Sequence, residues 1–169
     1  GVVTDSRAIQ QGMAFVALKG ESFDGHTFVP KAGAAGAVLA VVQRGEESKG
    51  EGLPLVVVDD TLLAWGKIAR AHLRRWRKRK VSARVLALTG SAGKTTTKEL
   101  AAALLACVGN THRTAGNLNN RIGLPAVALE ITSDHPFAVL EMGMSVPGEI
   151  AALCEIAEPD VALITNIGV

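Results

Sequence analysis

VSARVLALTGSAGKTTTKEL, residues 81–100, is the stretch on which the fold turns. An apolar, β-prone run, Val85-Leu86-Ala87-Leu88, leads into a glycine-rich turn, Thr89-Gly90-Ser91-Ala92-Gly93. Lys94, three threonines and a helical pattern follow. Strand, glycine loop and helix in that order predict a phosphate-binding loop. Glycines let the backbone turn sharply and bring N–H groups close to an anion, and the helix start adds partial positive charge. Lys94 can reach terminal phosphates and the Thr95 hydroxyl can serve Mg²⁺. The usual pattern has a further glycine five residues before the Gly-Lys pair; here Leu88 stands there, so the loop is the shorter GxxGKT form.

Working outward, the helix after the loop carries Leu100, Leu104, Leu105 and Val108 on one face and is expected to end at Gly109-Asn110. Residues 111–121, THRTAGNLNNR, read as a polar loop whose asparagines, Asn117, Asn119 and Asn120, either cap the chain locally or serve a ligand. A short helix is predicted over 122–129. Phe137-Ala138-Val139-Leu140 is a buried strand with Glu141 at its C-terminal end, the edge at which open α/β sheets bind ligands. A carboxylate there suits Mg²⁺. Gly148-Glu149 opens a helix to about Ala157. The strand Val161–Ile164 then ends in Thr165-Asn166-Ile167-Gly168 at the same edge. Three strands are too few for a nucleotide domain, so a truncated piece is expected.

Before the loop, Val2-Val3 precedes a turn at Asp5-Ser6-Arg7. Strands are predicted over 14–18, 37–42 and 55–58, with a small-residue helix from Phe28 to Gly36 and a turn over 22–26. Residues 43–52, QRGEESKGEG, read as an exposed loop. Asp59-Asp60-Thr61 offers an N-cap, and Leu62, Trp65, Ile68, Ala69, Leu73 and Trp76 recur at helical spacing, predicting an amphipathic helix to about 78. The fold class is therefore α/β. A small N-terminal α/β domain, residues 1–80, is followed by a truncated, P-loop-type, mostly parallel α/β domain, residues 81–169.

Composition narrows the class. A hydrophobic fraction of 48% with 20% charged residues is that of a globular chain. No apolar run reaches about 18 residues, and the N-terminus lacks a basic, apolar leader. The first residue is not Met, so the N-terminus is expected to be cut. Cys107 and Cys154 lack metal-ligand spacing, which fits a reducing compartment. Residues 70–80, RAHLRRWRKRK, hold seven of the 18 Lys and Arg; the other 11 face all 16 acidic residues, leaving −5 elsewhere. That run reads as a solvated helix end rather than a nucleic-acid patch, since only Trp76 accompanies it as an aromatic.

Six segments carry a likeness to a known family: TDSR at 4–7, ALKGESFDGHTFVPKA at 17–32, TGSAGKTTTKEL at 89–100, TAGNLNNRIGLP at 114–125, LEMGMSVPGEIA at 140–151 and ITNIG at 164–168. In this order they resemble the Mur ligases, ATP-dependent amide-forming enzymes of peptidoglycan precursor synthesis. GNLNNRIGLP and GKTTTKE are most similar to the branch that joins D-alanyl-D-alanine to UDP-N-acetylmuramoyl-tripeptide. Branches that add a single amino acid, including folylpolyglutamate-type ligases, or a nucleotide-binding piece without activity of its own, are the alternatives. The resemblance implies that Thr4, Asp5, Ser6 and Arg7 lie by the uridine nucleotide. It implies that Gly90, Ser91, Ala92, Gly93, Lys94, Thr95 and Thr96 surround the ATP phosphates. Asn119, Asn120 and Asn166 would line the cleft, Thr95 and Glu141 would hold Mg²⁺, and Lys94 and Glu141 would be catalytic. A cytoplasmic monomer, without nucleic-acid partners or membrane insertion, is expected.

Overall fold

The structure is a computed structural model. It describes residues 1–20, 23–50 and 52–168, so Glu21 and Ser22 of the expected turn and Glu51 of the expected loop lie outside the described residues. The chain forms two compact units, Gly1–Trp65 and Gly66–Val169.

The first unit is a four-stranded parallel sheet in the order β1-β2-β3-β4: β1 Val2–Val3, β2 Ala14–Val16, β3 Leu39–Gln43 and β4 Leu55–Val58. Even the two-residue β1 pairs, Val2 with Ala14. Side chains alternating out of β2 and β3, with Val29 and Ala32 of the single-turn-plus helix α1, Val29–Ala34, close the core around Phe15, Ala17, Ala40 and Val42. The helix predicted from Phe28 to Gly36 is shorter, because Gly25–Phe28 is a 3-10 turn capped by Asp24, whose Oδ1 accepts from the His26 N–H at 2.9 Å. Within the predicted loop 43–52, Glu47–Gly50 forms another 3-10 turn.

Helix α2, Thr61–Arg79, runs across the division between the units. Asp60 caps it, Oδ1 accepting from the Leu63 N–H at 2.8 Å. The division thus falls inside α2, upstream of the basic run at which residues 1–80 were expected to end. Its cause is packing: Ala69, Leu73 and Trp76 belong to the core of the second unit.

That unit is a parallel sheet in the order β6-β7-β5-β8: β5 Arg84–Thr89, β6 Thr111–Arg113, β7 Phe137–Glu141 and β8 Val161–Ile164. It has four strands where three were read. The missed one, β6, lies in the stretch 111–121 read as loop, and its sequence, Thr-His-Arg, is too short and polar to show an apolar period. Period-two alternation puts Val85, Ala87, Ala138 and Leu140 on the face covered by α2, α4 (Gly123–Leu129) and α5 (Glu149–Ala157). Leu86, Leu88 and Val139 face α3, Lys94–Ala106. The register aligns Leu88 with Glu141 and Thr89 with Ile164, so the C-terminal ends of β7, β5 and β8 are level.

Helix α3 meets the sheet through Ala101, Ala102 and Leu105, with Lys98 buried beside them. The leucine face read from the sequence turns largely outward: Leu100, Leu104 and Val108 are exposed. Ala101 and Ala102 allow the helix to lie close to Leu86, Leu88 and Val139, with Leu105 the one leucine of that face packed against this cluster. The helix ends at Ala106 with Cys107 as its C-cap, short of the expected Gly109-Asn110, and Gly109 is crowded, since a Cβ there would meet Pro136 Cγ at 2.6 Å. Among the described residues, no helix is long and apolar enough to cross a membrane.

Candidate functional site

The loop between β5 and α3 is shaped by two glycines in left-handed space, Gly90 at φ 143° and Gly93 at φ 78°. Gly90 is also crowded: a Cβ would stand 2.0 Å from Thr165 Oγ1. The segment after β8 braces the loop. The Ser91 N–H donates to the Asn166 carbonyl at 3.2 Å and the Ala92 N–H to Asn166 Oδ1 at 2.9 Å. The Thr165 hydroxyl donates to the Ala92 carbonyl at 2.6 Å, and the Gly168 N–H to Ser91 Oγ at 2.8 Å. Two loop amides expected to face an anion thus already have acceptors, and Asn166 is a brace. The helix bonds begin with the Thr97 N–H on the Gly93 carbonyl, so the N–H groups of residues 94–96 precede them at the helix start, where an anion is favoured. Lys94 folds back over the loop, donating from Nζ to the Gly90 carbonyl at 2.6 Å. Thr96 is exposed on the same first turn.

Across from Thr95 lies Glu141, buried at the end of β7. The Thr95 hydroxyl donates to Glu141 Oε2 at 3.3 Å, and Asn119 Nδ2 donates to Oε1 at 2.9 Å. The Glu141 N–H donates to Thr114 Oγ1 at 2.9 Å. Sequence reading missed Thr114 and also Lys98, whose Nζ lies 3.8 Å from Glu141 Oε2. The signal for Lys98 was its spacing: three residues after Thr95, it shares a helix face with it. The asparagine loop divides its work. Asn119 serves Glu141, whereas Asn120 Oδ1 accepts from the N–H groups of Ile122 and Gly123 at 3.0 and 2.8 Å and caps α4.

In the first unit, Thr4, Asp5, Ser6 and Arg7 line a cavity of about 450 Å³ with Phe15, Phe23, Phe28 and Lys31. Asp5 caps a 3-10 turn at Ser6–Ala8 and grips Arg7, with Oδ2 accepting from Nη2 at 2.7 Å. The Arg7 side chain and N–H hold the Asp5 carboxyl at about 2. Phe23 and Phe28 stack at 5.6 Å between centroids, a pairing that sequence spacing does not announce.

Residues 1–73 match the Mur ligase family catalytic domain, and residues 88–169 match the Mur ligase middle domain. The chain belongs to the Mur ligase family. Among its Mur ligase relatives, the UDP-N-acetylmuramoyl-tripeptide--D-alanyl-D-alanine ligases of Synechocystis sp. and Bacillus subtilis are 48% and 45% identical to it, each over 99% of this chain and 36% of its own length. Among solved structures, MurF from Acinetobacter baumannii aligns at TM-score 0.88 and 42% identity, covering 99% of this chain and 35% of the other. The MurF ligase of Thermotoga maritima in complex with ADP aligns at TM-score 0.87 and 38% identity, covering 99% and 37%. The chain therefore spans little more than a third of the length of these Mur ligase relatives.

Two other charged clusters are structural in this Mur ligase chain. In the basic run, Arg70 and Arg74 both donate to the Glu158 carboxylate, at 2.7 and 2.5 Å, and Arg77 Nη2 donates to the Glu158 carbonyl at 2.6 Å. Arg70, Arg74 and Arg77 clasp the C-terminus of α5, while Arg74, Arg75, Lys78 and Arg79 remain exposed as expected of a solvated helix end; Trp76 is buried with Nε1 donating to the His135 carbonyl. Asp24, His26 and Glu46 bring three metal-type ligand atoms within 4.8 Å of one another. Both His26 ring nitrogens are engaged, however. Nε2 accepts from the Gln43 N–H at 3.0 Å, so Nδ1 is the donor to Asp24 at 2.6 Å. Lys49 already supplies the cation, 2.7 Å from Glu46 and 3.4 Å from Asp24.

Proposed function

We propose that this chain is the UDP-substrate domain and the first part of the ATPase domain of a ligase that joins D-alanyl-D-alanine to UDP-N-acetylmuramoyl-tripeptide. The observation that carries this reading is the 3.3 Å approach of the Thr95 hydroxyl to the Glu141 carboxylate, level with a glycine loop and Lys94. Two hard oxygen donors at that separation suit neighbouring positions around Mg²⁺. Thr95 and Glu141 would hold the ion; when bound, it offsets negative charge on the transferred phosphoryl group.

The chain's own residues supply the rest. The N–H groups of residues 94–96 and the Lys94 ammonium bind and orient the ATP phosphates. Asn119 orients Glu141. Asn166 and Thr165 stiffen the loop. Thr4–Arg7, Lys31 and the Phe23–Phe28 stack receive the UDP end of the other substrate, cations toward the diphosphate and rings toward the base. The γ-phosphoryl group moves to a carboxylate oxygen of the peptide, and ADP leaves. The amine nitrogen of D-alanyl-D-alanine then attacks that carbonyl carbon and loses its proton as the C–O bond to phosphate breaks. This reading makes the protein a cytoplasmic monomer with no nucleic-acid partner.

The test is phosphate release from ATP by the complete enzyme. It should require both UDP-muramoyl-tripeptide and D-alanyl-D-alanine, and Lys94→Ala should lower the rate on the order of 10²-fold or more. Equal turnover with a single amino acid as acceptor would overturn the assignment in favour of a neighbouring branch.

A further inference from the structure

Lys98 is one of the largest fully buried side chains among the described residues, on a helix that otherwise meets the sheet through the apolar Ala101, Ala102 and Leu105. Among the described residues, it is the one cation within ion-pairing distance of Glu141, with Nζ 3.8 Å from Oε2. The same Nζ lies 3.3 Å from Glu99 Oε1, and Glu99 is held in turn by Arg113 Nε at 2.7 Å. Charges of alternating sign therefore run inward, Arg113, Glu99, Lys98 and Glu141, from the exposed rim of the sheet to its buried end.

We propose that Lys98 is the positioning residue for Glu141, holding that carboxylate aimed beside Thr95 so that it can take a divalent cation. This rests on the site reading above and deepens it. A buried carboxylate is costly without a counter-charge, and an unpaired one turns toward water. Asn119 gives Oε1 a neutral hydrogen bond, and Thr114 engages only the backbone N–H. Among the described residues, Lys98 alone lies within ion-pairing distance to supply compensating charge. Helical spacing produces the geometry: Thr95 and Lys98, three residues apart, reach the same oxygen, one from the mouth of the site and one from behind it. Groups that orient a metal ligand commonly change metal affinity by 10- to 100-fold when removed.

The experiment measures Mn²⁺ binding by electron paramagnetic resonance in the presence of a non-hydrolysable ATP analogue, and analogue binding in EDTA by calorimetry. Lys98→Met should weaken Mn²⁺ binding about 10- to 100-fold while leaving metal-free analogue binding within about twofold of wild type. Lys98→Arg, which keeps the positive charge, should recover most of the loss, and it carries the test if Lys98→Met fails to fold. Wild-type Mn²⁺ binding by Lys98→Met, even with a lowered melting temperature, would overturn the proposal. So would an equal loss with and without metal, or no recovery in Lys98→Arg. Glu141→Gln separates the two readings. If it too binds Mn²⁺ like wild type, the metal site itself is misassigned; if it binds weakly while Lys98→Met does not, only the role of Lys98 fails.

Discussion

Gly90 and Thr114 are governed by what a neighbouring atom tolerates. Gly90 sits at a φ of 143° with Thr165 Oγ1 where a methyl group would go. Gly90→Ala should therefore destabilise the chain by about 1–3 kcal/mol from backbone strain alone, read as a lowered midpoint in urea. Thr114 is buried and its hydroxyl accepts from the backbone N–H of Glu141. Thr114→Val keeps the shape and removes the acceptor, leaving a buried N–H without a partner. The expected cost is about 1–3 kcal/mol, and Thr114→Ser should retain most of the stability. Both glycines of the loop, and Lys94, Thr95 and Glu141, were legible as candidates, because glycine, lysine and a strand-end carboxylate announce themselves locally. Thr114 and Lys98 were not. A threonine in a polar loop and a lysine in a helix are common, and only the fold brings them to Glu141.

The elements show where amphipathic patterns suffice and where they mislead. Helix α2 follows its pattern, and the arginines on its other face close on Glu158. Hydrogen bonds from Arg74, foremost, and from Arg70 hold the Glu158 carboxyl at about 2, below the usual glutamate value. A depressed carboxylate stabilises the fold above its unfolded pKa, near 4.3. That contribution is lost as the pH falls from there through about 2. Glu158→Gln should lower stability at pH 7 and flatten part of the decline between about pH 4.3 and 2, as measured by denaturant melts across that range. Asp5 and Asp24, also held at about 2, keep the remaining slope. On α3, the outward-facing Leu104 is 73% exposed. Leu104→Lys should change stability of this chain by no more than about 0.5 kcal/mol, whereas Ala102→Leu, against Leu88 and Val139, should cost about 1–3 kcal/mol from overpacking. A sequence pattern shows that a helix has an apolar face; it does not show which residues the sheet has depth to receive.

The described residues form two parallel sheets, with a core around Phe15 and Val42 in the first unit and, in the second, cores around Val85 and Leu140 on one face and Leu88 and Val139 on the other. Phe15→Ala should cost about 3–5 kcal/mol and Leu140→Ala about 2–5 kcal/mol. Hydrogen exchange should show the first change loosening mainly β1 to β4 and the second mainly β5 to β8. By itself the sequence determined the α/β class, most strands and helices, the glycine loop and the family likeness, since these depend on periods and spacings a few residues long. Tertiary structure alone decided the fourth strand β6, the outward turn of α3, the bracing of the loop by Asn166 and the burial of Lys98 against Glu141. Those features join residues far apart in the chain, and their energies depend on whether two surfaces leave room for a leucine, a lone pair or a charge.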